Sequence, residues 1–159
     1  MANEDSALKP VPVRRRSAAR LAAVQVGYQA LMSGKSVLSI APEFLQHYVD
    51  DVIKSFRVKD IDHDHFSALT SGMETHAEDL DVVIAECLAS GWSLDRLTLI
   101  ERSLLRAGTM ELSHMPHLPA RAVVSEYAGL SDACGGDVGF VNAVLDKVAK
   151  STRIVEMNT

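Results

Sequence analysis

Apolar residues recur along this chain at steps of three and four, the period of a helix with one buried face. Leu21, Val24, Tyr28 and Leu31 make the first such stripe. They predict a helix that Ser17 caps and that runs to Met32, ending at Ser33-Gly34. Pro42 suits the first turn of a second helix reaching Ser55, with Phe44, Leu45, Tyr48, Val49 and Val52 as its apolar positions. Asp62 or Asp64 can cap a third helical stretch that ends at Ser90-Gly91, with Gly72 or the Ser and Thr residues near it as break points. Its apolar set includes Phe66, Leu69, Met73, Leu80, Val83, Ile84 and Leu88, and Trp92 follows in a turn. Ser93 or Asp95 then opens a strongly amphipathic helix to His114, built on Leu97, Ile100, Leu104, Ala107 and Met110. Pro116 and Pro119 bound a loop. The spacing predicts further helices over 120–133, closed by Gly135-Gly136, and over 138–151. No segment reads as a strand, and no internal repeat is present.

Composition supports the same class. At 159 residues and 47% apolar, the chain suits one well-covered core. Aromatics are only 5%, fewer than a sandwich or barrel would use, so the expectation is all-α. Residues 1–13 are polar, with Pro10 and Pro12 blocking helix, and read as a disordered tail. Residues 14–151 read as one helical domain and 152–159 as a C-terminal tail. No apolar run approaches a bilayer's thickness, and the start does not resemble a signal peptide. Cys87 and Cys134 are too few for a disulfide framework and read as reduced core residues, so the expected compartment is the cytoplasm.

Charge changes the picture more. The net charge is −5, and nine Asp/Glu with no Lys or Arg lie between Asp60 and Asp95. Against this, Arg14, Arg15, Arg16 and Arg20 crowd the start. Cations at a helix N-terminus oppose the macrodipole, so helix stability is not their purpose. Arg16 and Arg20, four apart, can share one face. Arginine offers a forked donor for phosphate and a plane for stacking on unpaired bases, although such a run also suits a solvated face. Other candidates are weaker. Asp62-His63-Asp64-His65 has metal-ligand residue types, but their alternation places them poorly on one helical face, beside an expected helix start. His114 and His117 flank Pro116 without a third ligand nearby in sequence. Neither cysteine lies in a nucleophile motif, and the glycine-rich 135–139 segment follows a helix rather than a strand. No catalytic constellation, metal site or cofactor is expected.

Three segments carry a family resemblance. The first, 14–29, runs Arg-Arg-Arg-Ser-Ala-Ala-Arg-Leu-Ala-Ala-Val-Gln-Val-Gly-Tyr-Gln. The second spans Trp92 to Leu112, with Ile100-Glu101-Arg102, Leu104-Leu105-Arg106 and Glu111-Leu112. The third and most specific is the octamer Phe140-Val141-Asn142-Ala143-Val144-Leu145-Asp146-Lys147. Together, in order and spacing, they resemble the NusB family of bacterial transcription antitermination factors from Arg14 to Lys150.

The resemblance implies about seven helices packed as two small bundles. It implies binding of boxA-type single-stranded RNA, partnership with the ribosomal protein NusE, and a larger antitermination complex on RNA polymerase. By position it assigns Arg14, Arg15, Arg16 and Arg20 to phosphates and bases, with Gln25, Tyr28 and Phe140 near RNA. Helical spacing fits burial of Tyr28 equally well, and Phe140 fits a core position. Glu101, Arg102 and Arg106 match the NusE-facing surface, and they also fit an exposed, salt-bridged helix face. The chain departs from the family pattern at Gly139, where a lysine commonly precedes the Phe, and in the short loop from Gly136 to Phe140. It departs again at Met110, where Tyr is usual, and at Ser125–Gly129. Two alternatives stay open: an interaction-only helical module, and a stand-alone relative of the domain that heads some rRNA cytosine methyltransferases. A homodimer is equally compatible, because a helix's apolar face looks the same inside a monomer or across an interface.

Overall fold

The computed structural model describes residues 13–159, and among these it contains nine α-helices and no strand. The expectation of a tail over residues 1–12 lies outside the described residues. Four helices form the first group: α1 (Val13–Ser33), α2 (Val37–His47), α3 (Val49–Phe56) and α4 (His63–Thr75). The second comprises α5 (Ala77–Cys87), α6 (Leu99–His114), α7 (Ala120–Ala133), α8 (Val138–Thr152) and the short α9 (Ile154–Met157). A 3-10 turn, Leu94–Arg96, precedes α6. Both α1 and α6 are central: α1 packs on α2, α3, α4 and α6, and α6 packs on α1, α4, α5, α7 and α8.

The first helix departs from the single stripe expected of it. Ala18, Ala19, Ala22, Ala23, Val24 and Val26 are all fully buried, so α1 is covered on nearly every side. Small side chains let neighbouring helices approach closely. At Gly27 an added Cβ would stand 2.4 Å from Ser103 Oγ and 2.7 Å from Met73 Cε. Ser103 Oγ meanwhile donates to the Val24 carbonyl at 2.6 Å, locking α6 onto α1.

Cap chemistry explains most boundaries. Asp62 caps α4 by accepting from His65 N at 3.1 Å. α6 starts later than Ser93 or Asp95 because Thr98 and Glu101 form a capping box, each side chain accepting from the other's backbone N–H. α2 begins at Val37 because Ser36 caps it through Ser39 N, so Pro42 sits within the helix rather than in its first turn. Its break from α3 falls at Tyr48, and the α4–α5 break falls at His76.

Residues 152–159, expected as a tail, are anchored by two buried side chains, Arg153 and Met157. Arg153 is buried and donates to the carbonyls of Leu112 at 2.7 Å, Leu118 at 2.9 Å and Met115 at 2.9 Å. Glu156 accepts from Ala120 N at 2.6 Å. The segment thus satisfies orphan backbone groups at the end of α6 and the start of α7, and Met157 joins the core.

Candidate nucleic-acid interface

The helical twist divides the arginine cluster. On α1, Arg14, Leu21, Gln25 and Tyr28 are separated by seven, four and three residues and fall on one face. Arg16 and Arg20 share a different face, as expected, but that face turns toward α4, α6 and α7.

Arg20 is the clearest correction. It was expected to meet RNA, yet it is only 5% exposed. Its Nε and Nη2 each lie 2.9 Å from the Glu111 carboxylate, and its Nη1 lies 2.8 Å from Glu126 Oε1. Glu111 is fully buried and also accepts from the Tyr127 hydroxyl, with His65 Nε2 at 3.1 Å. Ser17, expected as a helix cap, lies within α1 and donates to Glu126. Burial acts to raise the Glu111 carboxyl, but the bonds to His65 and Arg20 and the Arg20 charge outweigh it and hold the group below the ordinary carboxylate range. Burial raises the Tyr127 phenol, and the Glu111 charge raises it further. Buried and paired with two carboxylates, Arg20 is not presented to a phosphate at the surface. It is a core cation.

The other arginines stay at the surface. Arg14 is exposed and donates to the Phe56 carbonyl at the end of α3. Arg15 Nε donates to the Asp60 carbonyl at 3.1 Å. Both bonds spend neutral acceptors, and neither guanidinium pairs with a carboxylate among the described residues. Arg16, about one-third exposed, lies 3.9 Å from Asp62 and borders a recess lined by Asp64, His65, His114 and His117.

Gln25 and Tyr28 line a cleft between α1 and α3 that the ends of α6 and α7 close on the far side. Leu21, Met32, Asp51, Ser55, Ile100 and Cys134 complete its walls. Tyr28, Ile100 and Cys134 also border a second recess, floored by Thr98 and Leu99. Tyr28, half-buried, thus stands where two clefts meet. Burial raises the Cys134 thiol, which makes it a wall rather than a nucleophile.

Phe140 stands in the first turn of α8. Asp137 caps α8 by accepting from Phe140 N at 3.0 Å, and Asp137 N donates to Glu101 Oε2 at 3.3 Å, joining the starts of α6 and α8. Phe140 is half-buried, with its ring centroid 5.6 Å from that of Trp92. Gly139 is exposed and places no charge here. Sequence reasoning left Trp92 in a turn without a role; its signal was a large aromatic beside Gly91 and Ser93, where no core face is being built.

Glu101, Arg102 and Arg106, expected toward a protein partner, make intramolecular contacts. Arg106 is bidentate to Asp81 of α5 at 2.8 and 2.6 Å, and Arg102 approaches the same carboxylate at 3.8 Å. They form the salt-bridged helix face, with Arg106 only 17% exposed. No group of three or more metal-ligating side chains is assembled among the described residues. Asp62 and His65 instead serve the α4 cap and Glu111, and His63 pairs with Asp60 at 3.0 Å. Among the described residues, no helix is long and apolar enough to cross a membrane.

Solved structures share this architecture. NusB from T. maritima, 22% identical, superposes with a TM-score of 0.69 over 95% of this chain and all of that one. The antitermination factors NusB and NusE in complex with dsRNA include a chain 26% identical, with a TM-score of 0.69 over 88% of this chain and 99% of its own. Among sequences, the transcription antitermination protein NusB of Sphingopyxis alaskensis is 40% identical over 140 residues, 87% of this chain and 94% of the relative. That of Caulobacter vibrioides is 37% identical over 143 residues, 89% and 96% of the two chains. The family model of the NusB family matches residues 17–150. That match takes in the central α1–α6 pair, the Tyr28 cleft and the Phe140 octamer alike, and it places this chain in the NusB family.

Proposed function

We propose that this protein is a transcription antitermination factor that binds boxA-type single-stranded RNA together with NusE, in the cytoplasm, and seeds a larger complex on RNA polymerase. Recognition rather than covalent chemistry is its mechanism. One observation carries the reading: Arg14, Gln25 and Tyr28 share one face of α1, Gln25 and Tyr28 line the cleft, and Tyr28 also borders the recess floored by Thr98 and Leu99. Arg14 and Arg15, with Arg16 on the same turn of α1, supply charge for phosphates at one end. Gln25 offers an amide for base edges, and Tyr28 and Phe140 offer rings for unstacked bases. Double-stranded RNA would hide those bases, so unpaired RNA suits the site better.

NusB relatives of high coverage support the antitermination role, and a solved assembly of NusB and NusE with dsRNA supports association with NusE and with RNA. The test is a fluorescence-anisotropy titration of a boxA RNA and a scrambled RNA, each with and without NusE. Preferential boxA binding strengthened by NusE is expected. Equal, weak binding of both RNAs that NusE leaves unchanged would favour an interaction-only module.

A further inference from the structure

We infer that Trp92, held between Arg96 and Phe140, is a stacking ledge for an unpaired base, extending the RNA surface beyond the residues assigned above. The inference rests on the RNA-binding reading and names a further contact within it.

The ledge is built by its turn. Gly91 adopts φ +88°, which L side chains rarely adopt, and so reverses the chain after α5. Trp92 N donates to the Ala89 carbonyl at 3.0 Å. Arg96 Nη1 folds back to the Gly91 carbonyl at 2.6 Å, which sets its guanidinium 5.1 Å from the Trp92 ring centroid. Ser93 Oγ engages Asp95 at 2.6 Å, so that carboxylate has a local partner. Phe140 lies against the Trp92 ring at 5.6 Å with the planes tilted by 43°.

This arrangement leaves Trp92 47% exposed. An indole is the largest apolar side chain, and a role confined to packing would bury it; here its neighbours fix its position while half of its surface stays in water. A fixed indole beside an arginine is the combination that takes a nucleobase, by stacking and by cation–π attraction, with a phosphate neutralised alongside. The location agrees. Arg96 lies two residues from Thr98, on the rim of the Tyr28 recess, and Phe140 lies three residues from Asp137, which binds Glu101. The two flank one edge. Trp92 thus lies six residues before Thr98 and rests on Phe140 of α8, whose cap Asp137 binds Glu101 of α6.

Trp92 is the single tryptophan of the chain, so its emission reports on the ledge alone. The full-length protein is titrated with boxA RNA while anisotropy of labelled RNA and Trp92 emission are followed together. Quenching of the emission with the same midpoint as the anisotropy is expected. Trp92→Ala should weaken RNA binding by about tenfold, and Trp92→Phe, which keeps a stacking face, should retain most of the affinity. Unchanged emission at saturating RNA would overturn the ledge and leave RNA binding intact. No anisotropy change at all would remove the RNA-binding reading and the ledge with it. If NusE alone shifts the emission and Trp92→Ala weakens NusE binding but not RNA binding, the ledge is a protein contact and the inference is wrong.

Discussion

Arg20 and Glu111 form a bidentate ion pair in the core, Nε to Oε2 and Nη2 to Oε1 both at 2.9 Å. The pair ties α1 to α6, and Tyr127 and His65 bring α7 and α4 to the same carboxylate. Four helices from both groups therefore meet at one buried charge. Such a centre contributes little net energy when intact, because desolvation offsets attraction, but removing one partner strands the other.

Glu111→Ala should accordingly destabilise the protein by about 3–5 kcal/mol, read as a lower urea midpoint with unchanged slope. Glu126→Ala, which removes an acceptor one-third exposed, should cost about 1 kcal/mol or less. Equal losses in the two variants would show that the centre is not organised around Glu111.

Acid should act through the same carboxylate. Its folded pKa is depressed, so its stabilisation is complete above the unfolded value of about 4.3 and is lost as pH falls through the folded value. Urea unfolding of the native protein and of Glu111→Gln from pH 7 to pH 3 should show a stability gap that is constant near neutrality and narrows below about pH 4. A gap that widens on acidification would reverse the assigned sign.

RNA binding should respond to three arginines rather than four. With Arg14, Arg15 and Arg16 each meeting one phosphate of a single strand, log affinity should fall with log salt at a slope of about −2. Arg14→Ala should lower the steepness by about 0.7 while the melting temperature holds. Arg20→Ala should instead lower the melting temperature. A slope near −3 that Arg20→Ala reduces without unfolding would return Arg20 to the RNA surface.

At the α1–α6 crossing, Gly27→Ala should cost about 1–3 kcal/mol, because the new methyl would displace Ser103 Oγ from the Val24 carbonyl and press on Met73. Gly129→Ala, at a helical position where a Cβ meets nothing within 4 Å, should be neutral or slightly stabilising. Thermal unfolding of the two variants checks the contrast.

Periodicity determined the class of this protein and most of its helices; α7 falls where spacing, Pro119 and Gly135 placed it, because those signals act within a few residues of the backbone they shape. The family signature was equally local, a matter of residue order in three segments. Which way each side of α1 faces was a different question. Sixteen and twenty are four apart on any helix, and spacing says only that they share a side. Whether that side meets water or Glu111 depends on a residue ninety-one positions later, brought in by the packing of α6. The same holds for Trp92, which gains Phe140 as a neighbour only when α8 docks. It holds for Arg153, whose carbonyl partners lie on α6 and in the loop that follows it. Local rules set the elements. Long-range packing decided which charges are core and which remain at the surface.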